Sequence, residues 1–119
     1  MHLTRAEFEQ VVEEALADLP EQFAELLDNI IVVVEEEPSD EDLELLHDET
    51  GELLGLYRGV ALTRRHYDNA PALPDQIAIF RGPILRVTRS RREALRQIRE
   101  TVIHELGHYF GLHDEDMAF

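Results

Sequence analysis

The chain contains no cysteine and no lysine, and none of its apolar runs approaches the ~18 residues of a membrane span. Without cysteine there is no disulfide framework, and no metal can be held by thiolates. The opening segment MHLTRAEFEQ lacks the basic-then-apolar pattern of a secretory signal. The expected location is therefore the cytoplasm, with no membrane partner. Repeats, low-complexity segments and Gly/Ser-rich linkers are also missing. At 119 residues and 44% hydrophobic, the chain can bury one core, so a single domain over residues 1–119 is expected.

With lysine absent, all 11 basic residues are arginines, set against 26 acids for a net charge of −15. The two signs are separated along the chain. Residues 1–55 hold 18 acids and one arginine, whereas residues 56–110 hold 5 acids and 10 arginines. An acidic half of this density argues against nucleic-acid binding, which needs a positive surface for phosphates. The cluster Arg86, Arg89, Arg91, Arg92, Arg96 and Arg99 is the exception. Its simpler reading is an internal partner for the acidic half; an anionic-ligand or partner site is the rival.

Periodicity gives a coarse order of elements. Thr4 and Glu7 form a capping box, and Phe8, Val11, Val12, Ala15, Leu16 and Leu19 form the apolar stripe of a helix to about residue 18. Pro20 opens a second short helix carrying Phe23, Leu26 and Leu27. The β-branched run Ile30–Val34 predicts a buried strand that stops before Pro38. Ser39 caps a short helix through Leu46, unless that acidic stretch is a loop. Leu53–Arg58 and Gln76–Arg81 read as strands, with 60–65 a further candidate. Ser90 caps a long final helix, 91–110.

That helix carries His104-Glu-Leu-Gly-His108, a His-Glu-x-x-His motif. Helical spacing places the two imidazoles on one face, a turn apart, where they can share one zinc ion. Glu105 can then take a proton from a zinc-bound water. With 6 His and 17 Glu in 119 residues, chance alone gives the short motif about 0.04 times per chain, which is weak support. Gly111 and Asp114 extend it to H-E-x-x-H-x-x-G-x-x-D, and the chance expectation falls to roughly one in several thousand. The bland reading of each residue alone is a surface histidine, a helix-ending glycine and a solvated acidic tail. Together they point to a metal.

The extension has a mechanical reading as well. A catalytic zinc takes three protein ligands and leaves a position for water. Gly111 can end the helix and turn the chain back, and Asp114, three residues on, can supply the third ligand. His113 is one position out of register and ranks second. Ile103, Leu106 and Phe110 form the core-facing stripe of the same helix. Gly107 inside it costs about 1 kcal/mol against alanine, which another backbone lying close would explain.

With these residues in view, the chain resembles the small bacterial zincin-like proteins, the minimal metallopeptidases once grouped as a domain of unknown function. The resemblance rests on LPDQIAIFRGPI at 73–84 and ETVIHELGHYFGLHDEDM at 100–117. The aspartate extension is also similar to the signature of small secreted neutral proteases with an aspartate third ligand. The resemblance implies an α+β zincin-like fold with a small mixed β-sheet packed against N-terminal helices and a C-terminal active-site helix. Since the chain stops five residues after Asp114, no C-terminal subdomain is expected, and the substrate groove should be open and shallow. Met117 could floor it, although a plain tail methionine is the simpler reading.

The expected activity is zinc-dependent hydrolysis of a peptide or protein substrate, with His104, His108 and Asp114 on Zn2+ and Glu105 as general base. His113, His66, Tyr57 and Tyr67 are the available donors for the oxyanion, and a peptide could add along strand 53–58 or 76–81. The alternative is a non-catalytic interaction module whose metal site is structural or vestigial.

Overall fold

The computed structural model describes residues 2–44, 51–59 and 75–109, with residues 108 and 109 described for their backbone alone. Helix α1 spans Arg5–Ala17 and begins at the predicted capping box: the Thr4 side chain accepts from Glu7 N–H, and the Glu7 carboxylate accepts from Thr4 N–H. The Thr4 donors hold the Glu7 carboxyl below its usual range. Pro20 stands just outside α2, Glu21–Leu26, as its cap, and a 3-10 turn at Leu27–Asn29 leads into strand β1, Ile30–Glu35. Next come the short helix α3, Asp40–Glu44, and strands β2, Gly55–Arg58, and β3, Asp75–Phe80. Two further helices, α4 at Arg81–Val87 and α5 at Arg91–Tyr109, complete the described order.

The three strands form one mixed sheet in the order β1-β3-β2. β1 runs parallel to β3, pairing Val32 with Ile77 and Val34 with Ile79. β2 runs antiparallel, pairing Gly55 with Ile79 and Tyr57 with Ile77. Because alternate side chains share a face, Val32, Val34, Ile77, Ile79, Gly55 and Tyr57 lie on one side of the sheet. The helices cover that side. Phe8, Val11, Val12 and Ala15 of α1 meet Ala94, Ile98, Val102, Ile103 and Leu106 of α5 in a core that also takes Phe23, Ile77, Ile79 and Ile84. The α+β architecture and the mixed sheet agree with the expectation from sequence.

Several local expectations are corrected. Strand 30–34 is an edge strand of the described sheet, and Ile31 is 47% exposed, so the β-branched run marks β-propensity more than full burial. The strand read at 76–81 ends at Phe80 because Arg81 already opens α4. There Pro83 has no N–H to offer a ladder, and Gly82 N–H donates to the Glu36 carbonyl at 2.9 Å instead. A Cβ on Gly82 would fall 1.8 Å from a Glu37 carboxylate oxygen, so the acidic run sits directly on this turn. Helix α4 gives no clear periodic signal in seven residues. The candidate strand 60–65 and the end of the helix at Phe110 lie outside the described residues, as does the stretch beyond Glu44.

Three arginines of the cluster meet the acidic half, in line with the simpler reading. Arg86 binds Glu37 and Glu52, Arg91 binds Glu14, and Arg99 binds Asp18. Hydrogen bonding from Arg86 lowers the Glu37 carboxyl below its usual range. These pairs are about half-exposed, and each contributes on the order of 0–1 kcal/mol. Arg58 is different. It sits across Glu35 and Asp42 at 2.6 and 3.0 Å, with its guanidinium 6.0 Å from the Phe80 ring centre. Asp42 is 8% exposed and also closes a second capping box, accepting from Ser39 N–H at 3.0 Å while donating its own N–H to the Ser39 hydroxyl. Burial opposes ionisation of Asp42, but the Ser39 donors and Arg58 outweigh it and hold its carboxyl below the usual range.

A carboxyl depressed on folding stabilises the protein above its unfolded value of about 3.9, and that stability is lost as pH falls through the lower folded value. Asp42→Asn should therefore lower stability near pH 7 by about 1–2 kcal/mol and flatten the acid limb below about pH 4. Urea midpoints measured from pH 2 to 7 check this; a mutant curve parallel to wild type would remove Asp42 from the acid response.

Candidate active site

The site is built on α5. Ser90 caps the helix as predicted, accepting from Glu93 N–H at 3.1 Å. The stripe Ala94, Ile98, Val102, Ile103 and Leu106 is buried against α1 and the sheet. At 100° per residue this burial leaves the face carrying Gln97, Glu100 and His104 outward. His104 is exposed, Glu105 is half-buried between the two faces, and Gly107 is buried. The backbone remains helical through His108. Residues 104 and 108 therefore keep the i, i+4 placement that a shared metal needs.

Opposite α5 lies β2, and between them runs an open groove of about 330 Å3. Leu53, Leu54 and Gly55 form its strand wall; Gln97, Glu100, Thr101, His104 and Glu105 form its helix wall. Glu105 spans the groove: one carboxylate oxygen accepts the backbone N–H of Tyr57 at 2.8 Å. The Phe80 N–H donates to the Leu54 carbonyl at 2.9 Å, so even-numbered residues of β2 face β3 and the Tyr57 amide points away from it. The proposed general base is thus held by the outward-facing backbone of a strand.

Tyr57 enters the sequence reading for its phenol, as an oxyanion donor. In the structure that hydroxyl donates to Asp75 at 2.7 Å, tying β2 to the start of β3, and it is the amide of the same residue that touches the site. Backbone donors leave no compositional signature. The one available signal is Gly55, a glycine inside a strand pattern, which marks close approach of a neighbour. The two candidate strands also differ in position among the described residues. β3 is flanked on both sides, and β2 has β3 on one side only, so 53–58 rather than 76–81 presents an edge.

No three His, Asp or Glu side chains converge on a metal position among the described residues. Of the predicted set, His104 and Glu105 are described in full. The His108 side chain, His113, Asp114, Met117, His66 and Tyr67 lie outside. Imidazole and carboxylate donors without thiolates are suited to zinc, and an exposed histidine on a rigid helix beside a tethered carboxylate fits that group. No helix among the described residues is long and apolar enough to cross a membrane.

No curated protein matches the chain. A solved structure, a conserved hypothetical protein from Thermo thermophilus, is similar in fold, with a TM-score of 0.57 and 24% identity over 91% of this chain and 94% of that one. The family model described as zincin-like metallopeptidase matches residues 27–119, which include β1 to β3, the groove and the entire motif. The chain belongs to the zincin-like metallopeptidase family.

Proposed function

We propose that this protein is a zinc-dependent metallopeptidase acting on flexible peptides, with His104, His108 and Asp114 as the metal ligands and Glu105 as the general base. The observation that carries the reading is the Glu105 carboxylate, which lines the groove with one oxygen fixed by the Tyr57 amide. Its other oxygen has no partner among the described residues. Bound zinc would supply Lewis-acid polarisation of water and of the scissile carbonyl.

The chain's own residues do the rest. Glu105 accepts a proton from the attacking water as its oxygen adds to the carbonyl carbon, then passes that proton to the nitrogen as the C–N bond breaks. The Tyr57 amide keeps the carboxylate in one orientation through both transfers. An extended peptide has the exposed side of β2 to lie along as far as Tyr57, whose amide Glu105 already takes, with the groove beneath it for side chains. An open groove buries little substrate, so little binding energy is available to orient the bond, and hydrolysis should be slow and unselective.

Wild type and Glu105→Gln, both zinc-supplemented, should each carry about one zinc per chain, while cleavage of casein or unstructured peptides falls at least ~100-fold in the mutant. Loss of zinc is expected instead in His104→Ala/His108→Ala. Equal cleavage by Glu105→Gln would refute the assigned base, and complete inertness of the zinc-loaded wild type would favour an interaction module.

The third ligand is tested separately. Asp114→Ala should weaken zinc binding by at least ~10–100-fold, and His113→Ala by less. The reverse ranking would transfer the ligand role to His113.

A further inference from the structure

Gly55 and Thr101 meet across the groove wall, where a Cβ added to Gly55 would fall 2.5 Å from Thr101 Cγ2 and 3.0 Å from the Ala78 carbonyl oxygen. Only a residue without a side chain lets β2 lie this close to α5. Thr101 is also fixed. Its hydroxyl donates to the Gln97 carbonyl at 2.7 Å and accepts from the Gln97 side-chain amide at 3.3 Å. That back-bond sets χ1 of a stiff β-branched residue and holds the methyl against Gly55.

The next rung of the same contact is the Tyr57 amide on Glu105. Two residues of strand advance about 6.8 Å and four residues of helix about 6.0 Å, so the pairs 55/101 and 57/105 fall opposite each other. A shift at the first rung is passed to the second, because both are carried by rigid backbone.

We propose that Gly55 and Thr101 are positioning residues for the general base, their contact setting the spacing at which the Tyr57 amide orients the Glu105 carboxylate. Neither touches substrate in this role. The proposal rests on the reading of Glu105 as the base, but the hydrogen bond itself can be followed without any activity. A methyl at residue 55 pushes β2 away from α5 and lengthens the Tyr57–Glu105 bond, leaving the helix and its histidines in place.

The test uses zinc-loaded full-length protein. Gly55→Ala should keep its zinc and lose ~10–100-fold in kcat, as expected for a misplaced group acting in the transition state. Adding Thr101→Ser keeps the back-bonded hydroxyl and removes the opposing methyl, the closer of the two contacts, so the double variant should recover part of the lost kcat. In NMR spectra the Tyr57 amide proton should be downfield and slowly exchanging in wild type, move upfield and exchange faster in Gly55→Ala, and return in the double variant. If Gly55→Ala does not fold, an amide-to-ester replacement at residue 57 deletes the donor without adding bulk, and kcat must fall similarly. An unmoved Tyr57 amide in Gly55→Ala, no rescue by Thr101→Ser, or full kcat in the ester would each overturn the proposal. A wild type without hydrolysis, yet with the amide behaving as described, would sink the peptidase reading and leave the positioning contact standing.

Discussion

Burial of one face of α5 is the constraint on which the remaining structure depends. Ile98, Val102, Ile103 and Leu106 are at most 4% exposed, and removing any one would open a cavity in the contact with α1 and the sheet. Once those positions face inward, helical geometry leaves no freedom in the others. His104 must look outward and Glu105 must look sideways, toward β2. The orientation of the chemically interesting residues follows from the packing of the dull ones. The site needs no dedicated scaffold beyond the core that the helix requires anyway.

The separated charges of the sequence have a related consequence. Arginines from the second half reach acids of the first across long sequence separations: Arg86 to Glu37 and Glu52, Arg81 to Glu36, Arg91 to Glu14. Most of these pairs are open to solvent, where screening leaves each a small contribution. Their effect is collective and topological. Glu36 and Glu37 lie just after β1, and Arg81 and Arg86 lie in α4, so the pairs hold the exit of the parallel strand against the helix that follows β3. Arg58, enclosed by Glu35, Asp42 and the Phe80 ring, does the same for β2 with stronger individual terms. Hydrogen bonding to Glu35 raises its already high pKa, so this charge persists at every pH the fold survives.

The parts of this fold that were legible in the sequence are those set by neighbours in the chain. Thr4 with Glu7, and Ser90 alone, mark helix starts through bonds three residues long, and both caps appear where the pattern places them. The spacing of His104, Glu105 and His108 needs only a helix to become a geometric statement. What the pattern could not supply is non-local. The order β1-β3-β2 depends on which strands pair across dozens of residues, so the same alternation in 53–58 and 76–81 served two different positions, an edge and a centre. The Tyr57 amide was illegible for a further reason, since every non-proline residue carries such a donor. Only its surroundings, a glycine two residues earlier and a carboxylate on the facing helix, distinguish it.

That amide also bears on a problem every open sheet has. Edge strands expose unpaired backbone groups that invite another strand to add, and proteins blunt them with charged side chains. Both outer strands of the described sheet meet charge at the backbone: Arg5 donates to the Val34 carbonyl of β1, and Glu105 accepts from Tyr57 of β2. On β1 the arginine is tied further to Glu9 and Glu36, which holds it at that one carbonyl. On β2 the charged group comes from the helix that carries the motif and belongs to the candidate site itself. A peptide adding to β2 therefore meets the carboxylate at the very amide it would otherwise pair with, and full strand addition across Tyr57 is disfavoured. The carboxylate that guards the edge stands where a peptide lying along that edge would pass, so protecting the sheet and presenting the proposed base are one arrangement.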